Sequence, residues 1–161
     1  MGVSPTVQVP FTVDLTTIDA SIHPEEAAVG ERTVITFGTY DVFHVGHVRL
    51  LKRARELGDR LVVGVSSDAL NISKKGRPPV YSQDERLEIV ASLRDVDDVF
   101  VEESLDLKRE YILEHKADIL TMGDDWKGRF DDMGDICEVV YFPRTPSVST
   151  TALIEHISGS R

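Results

Sequence analysis

The sequence predicts an α/β domain: a parallel sheet with helices packed on both faces. Three observations lead there. From Thr33 onward, apolar and β-branched stretches of strand length alternate with amphipathic stretches of helix length, the pattern of strand–helix–strand units. The run Leu61-Val62-Val63-Gly64-Val65 is apolar without interruption, as expected of a strand covered on both sides. Two stretches rich in Gly, His, Ser and Thr each join a strand end to a helix start, where open parallel sheets bind ligands.

Taken in order, the first strand is Thr33 to Phe37, ended by Gly38. A helix follows from about Val45 to Leu57, with Leu50, Leu51, Ala54 and Leu57 on one face and Gly58 as its C-terminal stop. Leu61 to Val65 is the second strand. Ser82 and Glu85 have the spacing of a capping box, which starts a helix that runs to about Leu93 through Leu87, Ile89 and Val90. Val99 to Val101 is a short strand, Lys108 to His115 a helix, Ile119 to Met122 a strand and Glu138 to Phe142 another. The last helix begins at Ser149. Residues Met1 to Arg32 differ from the rest, with prolines, five acidic residues and Arg32 as the one basic residue. They are expected to form an N-terminal extension (1–32), an acidic arm on a main domain spanning 33–161.

The chain has 161 residues, a length that suits one compact domain with a sizeable core. Its 18 Lys and Arg against 28 Asp and Glu give a net charge of -10, which argues against nucleic-acid or anionic-membrane partners. The positive charge is not spread evenly, however: between His44 and Arg77 eight Lys or Arg face three Asp or Glu. An anionic substrate therefore fits that segment. No apolar run approaches the ~20 residues of a membrane span, so membrane insertion is not expected. A single cysteine, Cys137, excludes an internal disulfide and points to a reducing, cytoplasmic setting; it sits in the apolar run to Phe142 and reads as an inert core residue. The N-terminus shows no basic-then-apolar secretory signal, and its match to the short myristoylation pattern, Met1 to Thr6, is of a kind that occurs by chance.

The most informative stretch is Gly38-Thr39-Tyr40-Asp41-Val42-Phe43-His44-Val45-Gly46-His47. A helix N-terminus at a strand's carboxyl end offers free N–H groups and a positive dipole end to a phosphate. His44 and His47, three apart, face one side of the first turn, and Gly46 leaves room for a phosphate to approach the backbone. The pair thus suits an anion site in which imidazoles donate to phosphate oxygens. A shared metal ion would need a third ligand, and none stands nearby in sequence. The second constellation is Pro143-Arg144-Thr145-Pro146-Ser147-Val148-Ser149-Thr150-Thr151, where Ser149 can cap the helix, Thr150 and Thr151 add hydroxyls, and Arg144 brings a donor fork shaped for phosphate oxygens. Asp124 and Asp125 are adjacent in an extended segment and point to opposite sides, so they do not read as a carboxylate dyad.

With these stretches, Gly58 to Asp68 and Met122-Gly123-Asp124-Asp125-Trp126, the chain from about Thr33 to Ile157 resembles the cytidylyltransferases of the nucleotidyltransferase superfamily that carries the His-x-Gly-His motif. Within them it looks most like the enzymes that act on glycerol 3-phosphate and make CDP-glycerol for teichoic acid. The resemblance implies a Rossmann-like sheet and a homodimer that transfers CMP from CTP to a phosphorylated alcohol, with Mg2+, releasing pyrophosphate. By that likeness His44, His47, Lys74 and Arg144 are the catalytic set, with Lys74 on a flexible loop that reaches the triphosphate. Gly38, Thr39, Tyr40, Gly46, Thr145, Val148, Ser149 and Thr150 would hold the phosphates and their surroundings. Gly123, Asp125 and Trp126 would line the cytidine pocket, and Asp41, Arg86, Arg94, Asp97 and Lys108 would shape the acceptor site.

Chemistry is consistent with this reading. A phosphate monoester at neutral pH is already a dianionic nucleophile, so the reaction needs positioning and charge neutralisation more than a base. Two departures stand out: Pro146-Ser147 replaces a residue-plus-Gly pair of the family, and the Lys74 to Tyr81 loop is one residue longer. Lys74 therefore shares its expected role with Lys75 or Arg77. Two alternatives stay open, a sugar-phosphate adenylyltransferase or cytidylyltransferase for another alcohol phosphate, and a non-catalytic CTP sensor.

Overall fold

The computed structural model describes residues 30–146 and 148–159. The N-terminal arm up to residue 29, with its lipidation pattern, and Ser147 lie outside the described residues. Five parallel strands, β1 (Thr33–Gly38), β2 (Arg60–Ser66), β3 (Asp98–Glu102), β4 (Ile119–Gly123) and β5 (Glu138–Phe142), form one sheet in the order β3-β2-β1-β4-β5. The expected α/β Rossmann-like class is the one observed. The chain starts in the middle, winds outward to β3, then returns to build β4 on the other side of β1. The strand order reverses between β1 and β4, which is where the loops at the carboxyl ends diverge and leave a crevice.

Helices α1 (Val45–Arg55), α2 (Asp68–Lys75), α3 (Gln83–Ala91), α4 (Lys108–Glu114) and α5 (Thr150–Gly159) connect or flank the strands. Alternation along each strand splits the core into two layers. Val34, Leu61, Val63, Val65 and Ile119 meet Leu51 and Ala54 of α1 and Val90 of α3. Ile35, Phe37, Val62, Leu120 and Met122 meet Ile112 of α4 and Phe130 on the opposite face. Burying both faces explains why β2 carries no polar residue from Leu61 to Val65.

Helix starts follow their caps. Ser82 accepts from the Glu85 N–H while the Glu85 carboxylate accepts from the Ser82 N–H, the reciprocal box expected from their spacing. Helix α2 is absent from the sequence reading. Its signals are Ser67, which caps the Leu70 N–H, and Gly76, which closes the helix in the left-handed conformation at φ 71°. With eight residues and a single buried apolar side chain, Leu70, it carries too little periodicity to stand out. Among the described residues no helix is long and apolar enough to cross a membrane.

Candidate active site

The crevice holds a cleft of 360 Å³ at the carboxyl ends of β1, β4 and β5. Its floor is the turn that enters α1. His44 is the N-cap, and its Nδ1 accepts the Gly46 N–H at 3.0 Å, while His47 Nδ1 accepts the His44 N–H at 3.3 Å. A neutral imidazole has one donor and one acceptor nitrogen, so both rings are left with their protons on Nε2. Burial pushes the His47 imidazole down to about 4, with His44 beside it adding to the depression and Asp41 opposing it; burial also lowers His44. Both are neutral at physiological pH and offer hydrogen-bond donors without carrying charge.

Gly46 has a tighter reason to be glycine than room for a phosphate. A Cβ there would lie 2.8 Å from the His44 ring, so a side chain would displace the cap. Gly38 likewise admits the Tyr40 ring, which would meet a Cβ at 2.9 Å; it supports the loop and does not line the cleft. The loop itself is strained, with Tyr40 at φ 55° and the β-branched Val42 at φ 43°. Thr39 and Tyr40 both reach the cleft.

The opposite wall comes from the loops after β4 and β5. Gly123, Asp125, Arg144, Thr145 and Val148 line it, together with Ser149 and Thr150. Ser149 caps α5 by accepting the Ala152 N–H at 3.1 Å, and the Thr150 hydroxyl donates to the Asp41 carbonyl at 2.9 Å, tying this helix start to the histidine loop. Arg144 forms an ion pair with Asp125 at 2.7 Å along this wall. Both side chains are largely exposed, so the pair is weak and easily exchanged for a phosphate.

Asp41 borders the cleft but is almost fully buried. Its carboxylate accepts the N–H groups of Val80 and Tyr81, each at 2.9 Å, and so staples the 76–81 loop to the histidine turn. Arg86 is fully buried, donating to the carbonyls of Thr39, Ser66 and Tyr81 and to the Asp68 carboxylate. Each of its three guanidinium nitrogens donates to protein, so it holds three loop ends in place. Arg94 and Asp97 lie in the α3–β3 connection, at the amino end of the sheet; Asp97 accepts the Leu61 N–H at 2.7 Å. In a parallel sheet that end is a full strand length from the cleft.

Trp126 packs on the α4 side, 5.7 Å from Phe130, and is not on the cleft wall. Lys74 falls in the last turn of α2, where its charged neighbours include Glu102, Lys75 and Arg129; Lys75 and Arg77 are the side chains that reach the cleft. Lys74 thus belongs to a capped helix rather than to the loop expected to carry it. Lys108 is buried with Glu102 as an ion pair; the Lys108 Nζ lies 3.6 Å from the centre of the Phe37 ring, and Ser66 donates to the second Glu102 oxygen. Burial pulls the Lys108 amine down to about 8 against the pull of Glu102. It is a core residue here, not a cleft residue. Cys137 is half-buried with its thiol raised by burial, as expected of an inert sulfur.

Among the described residues no group of three His, Cys, Asp or Glu side chains is placed to hold a metal ion. The carboxylates at the cleft are engaged, Asp41 by backbone N–H groups and Asp125 by Arg144. The residues do not fit a resident metal site. Two polar cleft residues were not legible as such: Asn71, whose Oδ1 accepts the Thr39 hydroxyl at 2.8 Å, and Arg53 on α1. Asn71 was hidden with α2; Arg53 looks like an ordinary solvated helix charge.

Comparison with known proteins agrees with this geometry. The family profile described as cytidylyltransferase-like matches residues 35–161. The glycerol-3-phosphate cytidylyltransferase of Bacillus subtilis (strain 168) is 45% identical over 128 residues, covering 80% of this chain and 98% of that protein. The one from Staphylococcus aureus (strain NCTC 8325 / PS 47) is 41% identical, covering 80% and 96%. A crystal structure of a lipopolysaccharide core biosynthesis protein from Thermoplasma volcanium GSS1 superposes with a TM-score of 0.63 at 28% identity, covering 72% of this chain and 99% of the other.

Proposed function

Because the chain belongs to the cytidylyltransferase-like family, we propose that it transfers CMP from CTP to glycerol 3-phosphate, releasing pyrophosphate and giving CDP-glycerol. The observation that carries this reading is the cleft itself. Two neutral, tautomer-locked histidines at one helix N-terminus face Arg144 and the hydroxyl-rich start of a second helix across a space of 360 Å³.

The acceptor's phosphate, dianionic near neutral pH, attacks the α-phosphorus of CTP; a P–O bond forms there as the bond to the β-phosphate oxygen breaks and pyrophosphate leaves. No general base is needed. Charge grows on the α-phosphoryl oxygens and on the leaving group, and the Nε2–H groups of His44 and His47 are preset donors for it. Arg144, released from Asp125, with Ser149 and Thr150 at the α5 start, holds the β and γ phosphates. Lys75 and Arg77 add the positive charge expected of Lys74. Mg2+ would come with CTP rather than from a site on the protein, and would neutralise part of the triphosphate charge. A cytoplasmic homodimer that supplies CDP-glycerol for teichoic-acid synthesis completes the proposal.

Pyrophosphate release from CTP with a panel of phosphorylated alcohols and sugars tests it. Turnover confined to glycerol 3-phosphate is expected. Preference for ATP with a sugar phosphate would replace the reading by an adenylyltransferase, and tight CTP binding without turnover on any acceptor would leave a sensor.

A further inference from the structure

Arg53 sits six residues beyond His47 on α1, about 9 Å along the helix axis, and it lines the same cleft. Its Nη2 donates to the Pro143 carbonyl at 3.0 Å, and its guanidinium carbon lies 4.9 Å from the centre of the Phe142 ring. The Nε is buried with no hydrogen-bond partner, and among the described residues no carboxylate pairs with the charge. Half-burying a guanidinium with an unmet donor and no counter-ion is unfavourable, so its retention asks for a reason. The two groups it grips supply one. Phe142 is the last residue of β5 and Pro143 the next, so the step it holds leads directly into Arg144 and Thr145.

We propose that Arg53 is a positioning residue for the nucleotide. By clamping the Phe142–Pro143 step onto α1, it sets Arg144 and Thr145 at a fixed distance from the histidines that the same helix carries. The residues that meet the two ends of the triphosphate are thus referenced to one rigid element rather than to two independent loops. Arginine suits this because a planar fork can donate to a carbonyl and lie over an aromatic face at once. The inference rests on the reading of the cleft as a CTP site.

The test compares Arg53→Met, which keeps the aliphatic stem but loses both contacts, with Arg53→Lys, which keeps a cation and a donor. CTP affinity is measured by calorimetry, and kcat, the KM for CTP and the KM for glycerol 3-phosphate by pyrophosphate release, with a thermal melt for each protein. Arg53→Met is expected to weaken CTP binding and raise its KM by about tenfold, the loss of one charge-assisted hydrogen bond. Its kcat and acceptor KM should stay near wild type, and Arg53→Lys should recover most of the affinity. CTP binding by Arg53→Met equal to wild type overturns the inference. So does a fall in kcat and in affinity for both substrates that tracks the melting temperature, which marks a merely structural residue. A wild-type protein that binds no CTP overturns the proposed function itself, and the inference with it.

Discussion

The rings of His44 and His47 stack at 3.9 Å between centres while each Nδ1 accepts a backbone N–H of the turn they share. The cap that starts α1 and the donors that face the cleft are therefore the same two side chains. Alanine at either position removes a helix cap and a phosphate donor together, but another substitution separates them.

Asparagine is as good an N-cap as any residue, yet it cannot extend a donor as far as an imidazole Nε2. His44→Asn should therefore melt near wild type while kcat falls by about 10²–10³, the usual effect of losing one donor to developing charge. His44→Ala should show the same loss of turnover and, in addition, lose about 1 kcal/mol of stability. Pyrophosphate release and thermal denaturation read the two quantities separately. Wild-type turnover in His44→Asn would refute the donor role.

The neutrality of His47 sets a pH dependence. Its imidazole titrates near 4 in the folded chain against an ordinary 6.5, so between those values the unfolded chain binds the additional proton. Stability consequently rises with pH across that window: the contribution is fully present above about 6.5 and is lost as pH falls toward 4. The shift corresponds to an upper bound of about 3 kcal/mol. Protonation of Nδ1 also ends its acceptance of the His44 N–H, so the same acidification loosens the cap. Chemical denaturation at pH 5 and pH 7 should give a large stability difference in wild type and a smaller one in His47→Gln. Equal differences in the two proteins would remove His47 as the source.

The β2 strand, the α3 cap and the two helix-start clusters were legible because each rests on local chemistry: an unbroken apolar run in β2, Ser82 with Glu85, Ser149 before Thr150. What escaped depends on contacts between segments distant in sequence. Arg86 is expected at the acceptor site, and only folding shows that four acceptors from Thr39, Ser66, Asp68 and Tyr81 surround it. Lys108 looks like a phosphate ligand until β3 delivers Glu102 beside it. Lys74 looks like a loop residue until Ser67 and Gly76 bracket it in a helix. Residue type alone announces a charge, and whether that charge meets a ligand or the protein is decided by topology.

Asp41 is the sharpest case, because two roles predict different outcomes for one substitution. Its Oδ1 accepts the N–H groups of Val42 and Tyr81 and its Oδ2 that of Val80, so three backbone donors converge on one carboxylate. Asparagine offers a single acceptor oxygen and would turn its NH2 toward an N–H. Asp41→Asn should thus cost about 1–3 kcal/mol and speed hydrogen exchange at whichever of Val80 and Tyr81 loses its acceptor by about five- to 150-fold. Arg77, Pro78, Pro79 and Val80 line the cleft, so loosening their loop should raise the KM for CTP. Exchange rates measured by NMR beside steady-state kinetics discriminate the two roles. A variant with both amides still protected and only the acceptor KM raised would restore Asp41 to the acceptor site. Loss of protection with a raised KM for CTP fits a staple that keeps the loop over the triphosphate.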